Sequence, residues 1–580
     1  MARIWDIRRG DNDDNRMSPH GRGMRKVILS AVLEFNFLNA AIVFITLILL
    51  PALLVGIAPS VIYTYGRLLF HAANVAGSGR LTGIILLVAL AGIAYWMGRP
   101  MLRIALDNFQ QLSYTVVFPA FVILREIMRS VAEQLSPAPV TAKQLDRGRR
   151  LGTILATLTI MAGGLALAFT TEIYNGIQVL DIERSHPWTL AKGALSNAVL
   201  FLCFSSVAES LYWLWRELKV GGPVRDWDPT QRQIDGAHAF RIAHLSDTHL
   251  VGERYGFRME AGTLGPRGNQ CIRVALRKLN AINKSSPIDR ILIAGDITDA
   301  GTRAEWAEFV DLLRGYTELK ERMSFVPGNH DVNIVDRTNP GRLDLPWSSS
   351  QSLRKLRVVL ALDAIQGDRS HIVDRMTGKL GPLLSQYLRD GERMDLLRSL
   401  AERGSTRGRW ETDRVWDSIF PLVEPPRDKD DCGVILLDSN ANSHIALTNA
   451  LGFVGPAQLR ALKSVLKQFP DTPWIIVLHH QVVEYPVASI SLVDRVSLAL
   501  VNASDVLAAI APYSSHVVVL HGHRHREWIG QCGLLVLCSA PSTALGSQLD
   551  KYKGSFLIYE LSLDPDHSIQ LIGSKHVKVA

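Results

Sequence analysis

The chain has 580 residues, roughly three to four units of ordinary domain size. Hydrophobic residues make up 47% of it, mean hydropathy is positive, and the apolar content concentrates in the first 220 positions, which excludes an average soluble composition. The net charge of +8 does not imply a nucleic-acid polymer as partner, because much of the basic excess flanks apolar segments, and five cysteines without paired spacing exclude a disulfide framework and fit a reducing compartment.

Residues 1–27 form a hydrophilic leader rich in arginine, followed at 28–215 by an all-α transmembrane domain. Four apolar runs, 37–63, 81–97, 151–169 and 194–215, approach or exceed the ~20 residues that a helix needs to cross a bilayer. The stretch Ser113–Leu124 is apolar but short and holds Pro119, so it reads as an interfacial or re-entrant piece. Basic residues crowd the leader (Arg3, Arg8, Arg9, Arg16, Arg22, Arg25, Lys26) and the connection ending in Arg147, Arg149 and Arg150, whereas the turn between the first two spans has only Arg67 and Arg80. Because basic loops stay inside, the reading is a multi-pass protein of the inner (plasma) membrane with its C-terminal domain in the cytoplasm. Glu209, beside Ser205, Ser206 and Ser210 in the fourth run, is an ionisable group at membrane depth; its plainer reading is a carboxylate reaching the interface.

Residues 216–237 carry Gly-Gly-Pro and Asp-Pro signals and read as a linker. From 238 to 580, short apolar runs at 240–245, 290–294, 323–326, 433–437, 474–478, 516–520 and 534–537 alternate with helical periods at 268–283, 303–315 and 456–468. This alternation predicts an α/β layered sandwich, two mixed β-sheets flanked by helices. The interval 335–430 breaks the rhythm and reads as a helical insert, with Arg354, Lys355 and Arg357 as one solvated face.

Five segments at or near the ends of apolar runs concentrate metal-ligand chemistry: Asp247-Thr248-His249, Gly295-Asp296-Ile297-Thr298-Asp299, Gly328-Asn329-His330-Asp331, His479-His480 and Gly522-His523-Arg524-His525. Aspartate, asparagine and histidine suit divalent Mn, Fe or Zn, and seven such side chains could hold two ions about 3.5–4 Å apart. The order and placement of these blocks resemble the calcineurin-like metallophosphoesterase superfamily over roughly residues 238–575. Within it the chain looks most like bacterial binuclear-metal cyclic-nucleotide phosphodiesterases, through HLSDTHL at 244–250, LLDSN at 436–440, GPAQLRALKSVL at 455–466 and APST at 540–543. The insert and the membrane domain depart from that subgroup.

The resemblance implies that Asp247, His249 and His525 hold one divalent ion, that Asn329, His479 and His523 complete the other, and that Asp296 bridges them. His480 would then support its neighbour, and Asp331 would steady a ligating imidazole. Two ions sharing a carboxylate lower the pKa of a bridging water and clamp phosphate oxygens, so a bridging hydroxide would attack a phosphodiester. His330 would protonate the leaving oxygen or stabilise charge, with Asp299 orienting it; Asp299 also reads as a turn or N-cap residue. The expected substrate is a phosphoester, with a cyclic nucleotide as one candidate. Alternatives are a lipid-linked phosphate or pyrophosphate, or a non-catalytic membrane sensor or scaffold. Arg524 and Arg526 could touch phosphate, while His244 and His516 read as core or supporting residues.

Overall fold

The computed structural model describes residues 36–579 except 136–140, 171–175, 221–223, 229–238, 253–267, 337–338, 340, 429–430, 487–497, 546–553 and 565–566. The expected leader lies outside these residues, as do 221–223 and 229–237 of the expected linker. The chain divides into two units, one of Phe37–Pro139 with Arg147–Leu218 and one that holds Lys219–Ala580.

The first unit is helical: α1 (Phe37–Phe44), α2 (Leu50–Gly56), α3 (Ala58–Gly77), α4 (Leu81–Leu112), α5 (Phe118–Gln134), α6 (Ala142–Thr170) and α7 (Pro187–Val220). Wider π-helical turns at Ile45–Leu49 and Ser113–Val117 lead into α2 and α5. Each ends two residues before a proline, Pro51 and Pro119. Proline lacks an N–H and its ring presses on the carbonyl four residues back, and one widened turn absorbs the misfit without ending the helix.

Three helical stretches are long and apolar enough to cross a membrane, Phe37–Gly77, Lys143–Phe169 and Pro187–Lys219, while the apolar stretch Leu81–Ala94 is shorter. Ser113–Leu124, expected as an interfacial or re-entrant piece, does not turn back on itself. It lies inside one helical path from Leu81 to Gln134, because the widened turn carries the helix past Pro119. Phe118 and Phe121 pack on Trp213 of α7, with ring centroids 4.8 and 4.7 Å apart.

The second unit contains two mixed sheets. Nine strands run in the order β1 (Val224–Asp226), β11 (Trp528–Cys532), β12 (Leu535–Ser539), β10 (Val517–His521), β9 (Trp474–Val477), β8 (Gly433–Leu436), β7 (Leu422–Glu424), β5 (His371–Val373) and β6 (Leu380–Leu383). Five form the other sheet, in the order β14 (Ile569–Lys578), β13 (Ser555–Leu563), β2 (Ala239–Leu245), β3 (Arg290–Ile293) and β4 (Met323–Phe325). Strands β2, β3 and β4 are parallel, and so are β8, β9, β10 and β12. Their nearly unbroken apolar runs suit strands buried on both faces.

Successive side chains of β9 and β10 serve two cores. Ile475, Val477, Val518 and Leu520 enter the one shared with the five-stranded sheet, while Trp474, Ile476, Val517 and Val519 enter the other. The first core also takes α8 (Gln270–Ser285) and α9 (Arg303–Leu313), the latter opened by a Thr302–Glu305 capping box. Two short helices follow, α10 (Thr317–Glu321) and α11 (Asn329–Val332).

The interval 335–430 supplies four helices, α12 (Ser349–Gln366), α13 (Leu384–Arg389), α14 (Arg393–Arg403) and α15 (Thr406–Ile419), but also β5, β6 and β7 of the large sheet. Helix α12 is a core helix. Arg354, Lys355 and Arg357, expected to face solvent, are 1%, 6% and 1% exposed. Their charges are met internally: Arg354 pairs with Asp344 at 3.0 Å, Lys355 approaches Asp413 at 3.7 Å, and Arg357 donates to the Gly301 carbonyl at 2.8 Å. Two later helices, α16 (Pro456–Gln468) and α17 (Ala503–Ile510), cover the second core.

Candidate metal centre

All five sequence blocks meet at one edge. The loops after β2, β3 and β4 bring Asp247 and His249, Asp296 and Asp299, and Asn329 and His330; those after β9 and β10 bring His479, His523 and His525. Parallel strands present their C-terminal ends together, so loops far apart in sequence converge there.

The backbone at this edge is unusual. Six described non-glycine residues have positive φ, and five of them, Asp247, His249, Asp296, His523 and His525, belong to these blocks. Such conformations cost about 1–2 kcal/mol per residue and persist where surroundings over-determine them. Here the loops lace together: Asp247 N–H donates to the Gly295 carbonyl at 3.0 Å, His249 N–H to that of Asp296 at 3.0 Å, and His523 N–H to the Asp247 carboxylate at 3.1 Å. Two glycines make room. A Cβ on Gly328 would lie 2.1 Å from Asp296 Oδ1, and one on Gly295, at φ +89°, would lie 2.6 Å from His479 Nδ1.

Lone-pair atoms then crowd one another. His479 Nδ1 donates to the Ala294 carbonyl at 2.7 Å, so Nε2 is the nitrogen that would offer a lone pair once its own proton is displaced. That Nε2 lies 3.0 Å from His523 Nδ1, 3.2 Å from Asn329 Oδ1 and 3.3 Å from Asp296 Oδ2. A second group forms around His525, whose Nε2 is 3.2 Å from Asp247 Oδ1 and 3.4 Å from His249 Nε2. Asp296 Oδ2 is also 3.9 Å from His249 Nε2, so one carboxylate oxygen stands between the two groups. Asp247, His249 and His525 thus gather as one set and Asp296, His479 and His523 as another. His249, Asp296 and His330 gather as a third.

The electrostatics ask for positive charge. Burial raises the Asp296 pKa, but the His479 and His330 imidazoles outweigh it and hold the carboxyl well below its usual range. Burial lowers His479, yet Asp296 carries it to about 9. His523, also buried and beside His480 and His479, is held well below its usual value. One imidazole holding a proton beside another that refuses one, with carboxylates around them, suits a divalent cation displacing that proton. Ligand atoms 2.0–2.2 Å from an ion stand about 3 Å from each other, the spacing seen here. The donor set fits divalent metal.

His330 donates through Nδ1 to the backbone carbonyl of Asp299 at 2.7 Å, and its ring meets His249 edge-on, with centroids 4.7 Å apart. The Asp299 carboxylate instead approaches His249 Nδ1 at 3.3 Å. Asp299 therefore holds two imidazoles, one by main chain and one by side chain. Asp331, expected to steady an imidazole, spends its carboxylate on the N–H groups of Ile297, Thr298 and Gly328 and on the Thr298 hydroxyl. It ties the second loop to the third, and burial raises its pKa to about 6.

His480 keeps both ring nitrogens busy, Nδ1 with the Ser439 hydroxyl at 2.9 Å and Nε2 with the Ala450 carbonyl at 3.2 Å. Ser439 and Ser542 are supports that residue chemistry alone did not reveal. Ser439 accepts the N–H groups of His479 and His480, both at 3.1 Å, and Ser542 donates to the Asp247 carbonyl at 2.7 Å. Their signal was the LLDSN and APST segments that contain them. Arg524 pairs with Glu484 at 3.1 Å and Arg526 is exposed. His244 is fully buried beside Tyr559, whereas His516 is only partly buried and bonds the His567 carbonyl.

Residues 240–527 match the family model of the calcineurin-like phosphoesterases, and the chain carries a calcineurin-like phosphoesterase domain. A probable cyclic nucleotide phosphodiesterase of Coxiella burnetii is 31% identical over 104 residues, which are 18% of this chain and 37% of that protein. Among solved structures, a dimetal phosphatase from Danio rerio aligns with a TM-score of 0.34 and 13% identity, over 59% of this chain and 98% of its own. The NAD nucleotidase of Haemophilus influenzae aligns at 0.29 and 11%, over 58% and 50%.

Proposed function

We propose that the chain is a membrane-anchored, metal-dependent hydrolase of phosphodiesters. Asp247, His249 and His525 form one ion site, Asn329, His479 and His523 the other, and Asp296 is common to both. The observation that carries this reading is the position of Asp296 Oδ2 between His479 Nε2 and His249 Nε2. Two divalent ions bound there supply neutralisation of the phosphate and a nucleophilic water at neutral pH.

The chain's own residues do the rest. Asp296 Oδ1 accepts the His330 N–H at 2.9 Å, which fixes the carboxylate plane and seats the His330 loop in one step. With Nδ1 committed to the Asp299 carbonyl, His330 acts through Nε2, giving a proton to the leaving oxygen or sharing one with it. Among the seven ligand residues His525 is the most open, with 21% of its side chain exposed, so substrate enters on its side. A cyclic nucleotide is favoured by the LLDSN and APST resemblance and by the likeness to the probable cyclic nucleotide phosphodiesterase of Coxiella burnetii. Apolar helices long enough to span a bilayer favour a second reading, a lipid-linked phosphate or pyrophosphate.

The test is an activity panel on the purified chain with Mn, Fe or Zn, comparing a bis-aryl phosphate, cyclic nucleotides, phosphomonoesters and lipid pyrophosphates. Diester cleavage that is lost, together with bound metal, in Asp296→Ala is the expected result. No hydrolysis of any member with any metal overturns the enzyme reading and leaves a ligand-binding sensor.

A further inference from the structure

In the nine-stranded sheet, β9 and β10 lead into the loops of His479, His523 and His525, and they lie between β8 and β12. The two flanking strands lead to none of the seven proposed ligands. Each is instead followed, three residues on, by a buried serine: Ser439 after β8 and Ser542 after β12.

Ser439 takes over where a ladder runs out. Strands β8 and β9 pair in register up to Leu436 and Val477, and the Leu437 N–H still reaches the Val477 carbonyl at 2.9 Å. Beyond that point the N–H groups of His479 and His480 both turn to the Ser439 hydroxyl oxygen, each at 3.1 Å. His480 Nε2 faces the Ala450 carbonyl at 3.2 Å, and a carbonyl only accepts, so Nε2 holds the proton and Nδ1 the lone pair. The Ser439 O–H donates to that Nδ1 at 2.9 Å. A hydroxyl has one donor and two acceptor lone pairs, and Ser439 spends all of them. The next residue, Asn440, donates through Nδ2 to the Pro327 carbonyl at 3.1 Å, just ahead of Asn329. The loops of His479 and Asn329 therefore both rest on neighbouring residues of one turn.

Ser542 is saturated in the same way. Its O–H donates to the Asp247 carbonyl at 2.7 Å, and its oxygen accepts the N–H groups of Ala544 at 3.3 Å and Leu545 at 2.9 Å. The Thr543 N–H donates to the preceding carbonyl, that of Ser246, at 2.9 Å. Asp247 sits at φ +52°, a conformation its side chain resists, so its peptide must be held for the carboxylate to face His525. The two hydroxyls thus steady different ligand loops.

We propose that the two serines are positioning residues, each for one ion. Ser439 sets the affinity of the ion held by Asn329, His479 and His523, and Ser542 that of the ion held by Asp247, His249 and His525. Both assignments rest on the two-ion reading. A residue that merely kept the fold together would weaken both ions alike.

The test is calorimetric titration of the full chain in detergent with Mn2+, in two backgrounds that each remove one ligand set. His249→Ala should leave the ion of Asn329, His479 and His523, and His479→Ala the other. Losing a group that steadies a ligand weakens metal binding about 10–100-fold. In His249→Ala, adding Ser439→Ala should weaken Mn2+ by that much, whereas Ser542→Ala should leave it nearly unchanged. In His479→Ala the two serines should exchange roles. Should an alanine variant fail to fold, Ser439→Cys or Ser542→Cys keeps the shape with a weaker hydrogen-bonding group and should shift affinity the same way. Unchanged affinity in either expected pairing, or equal weakening by both serines in one background, overturns the proposal while the two-ion reading stands. Histidine variants that still bind two ions, or bind none, overturn the two-ion reading and the proposal with it.

Discussion

His330 shows how much one hydrogen bond decides. Its Nδ1 is spent on the Asp299 carbonyl, so replacing the ring with Ala removes the group proposed to act at the leaving oxygen while leaving all seven proposed ligands in place. His330→Ala should keep both ions by metal analysis and lose about 10²–10⁴-fold in turnover on a diester with a poor leaving group. With an activated aryl leaving group the loss should shrink if the ring protonates oxygen, and stay equal if it stabilises phosphoryl charge. Unchanged turnover on both substrates would make His330 a structural neighbour of Asn329 alone. The convergence of these residues was legible because strand-end Asp, Asn and His residues have few other reasons to cluster. The role of Asp299 was less so, since no sequence pattern separates a carboxylate contact from a main-chain one three residues before the next N-cap.

At the scale of elements, helix α12 carries the lesson. Its charged residues read as a solvated face because a sequence shows charge but not what meets it. Here the Arg354 guanidinium pairs with Asp344 at 3.0 Å and donates to the Val332 carbonyl at 3.2 Å, just beyond the Asn329–His330 turn. Arg354→Met leaves the buried Asp344 carboxylate with the more distant Arg342 at 4.0 Å, and breaking a buried pair costs up to about 3–5 kcal/mol. Denaturant midpoints should show that loss, and adding Asp344→Asn should recover part of it. If the double variant is no more stable than the single one, the pair is not what Arg354 contributes. Short strands were also missed. β5, β6 and β7 (HIV, LGPL and LVE) are broken by His, Gly-Pro or Glu, so neither an alternation nor an apolar run marks them before neighbouring strands define them. The parallel runs, buried on both faces, announced themselves by apolar composition.

For the whole molecule, direction in the membrane depends on how many times the chain crosses. Ser113–Leu124 would change that count if it crossed by itself. As part of one helical path from Leu81 to Gln134 it adds no crossing of its own, because the chain does not reverse within it. Three helical stretches are long and apolar enough to cross, and with the shorter Leu81–Ala94 stretch as a fourth span both ends of the helical unit's sequence would share the side marked by the basic loops. Reporter fusions placed after residue 230 should therefore behave as cytoplasmic. External reporter activity would refute the charge-based orientation.

The five left-handed residues of the ligand loops carry an evolutionary implication. A metal centre built on conformations that side chains resist is one that random drift would relax, since glycine at those positions relieves strain while deleting a donor. Stability and function pull in opposite directions at each of them. His525→Gly, at φ +49°, makes this measurable. In the presence of a chelator its melting temperature should be no lower than that of the parent chain, despite the missing side chain, while metal content without chelator falls. A clear drop in melting temperature under chelation would mean that the loop is shaped by its own packing, and that the ligand edge is a relaxed part of the fold.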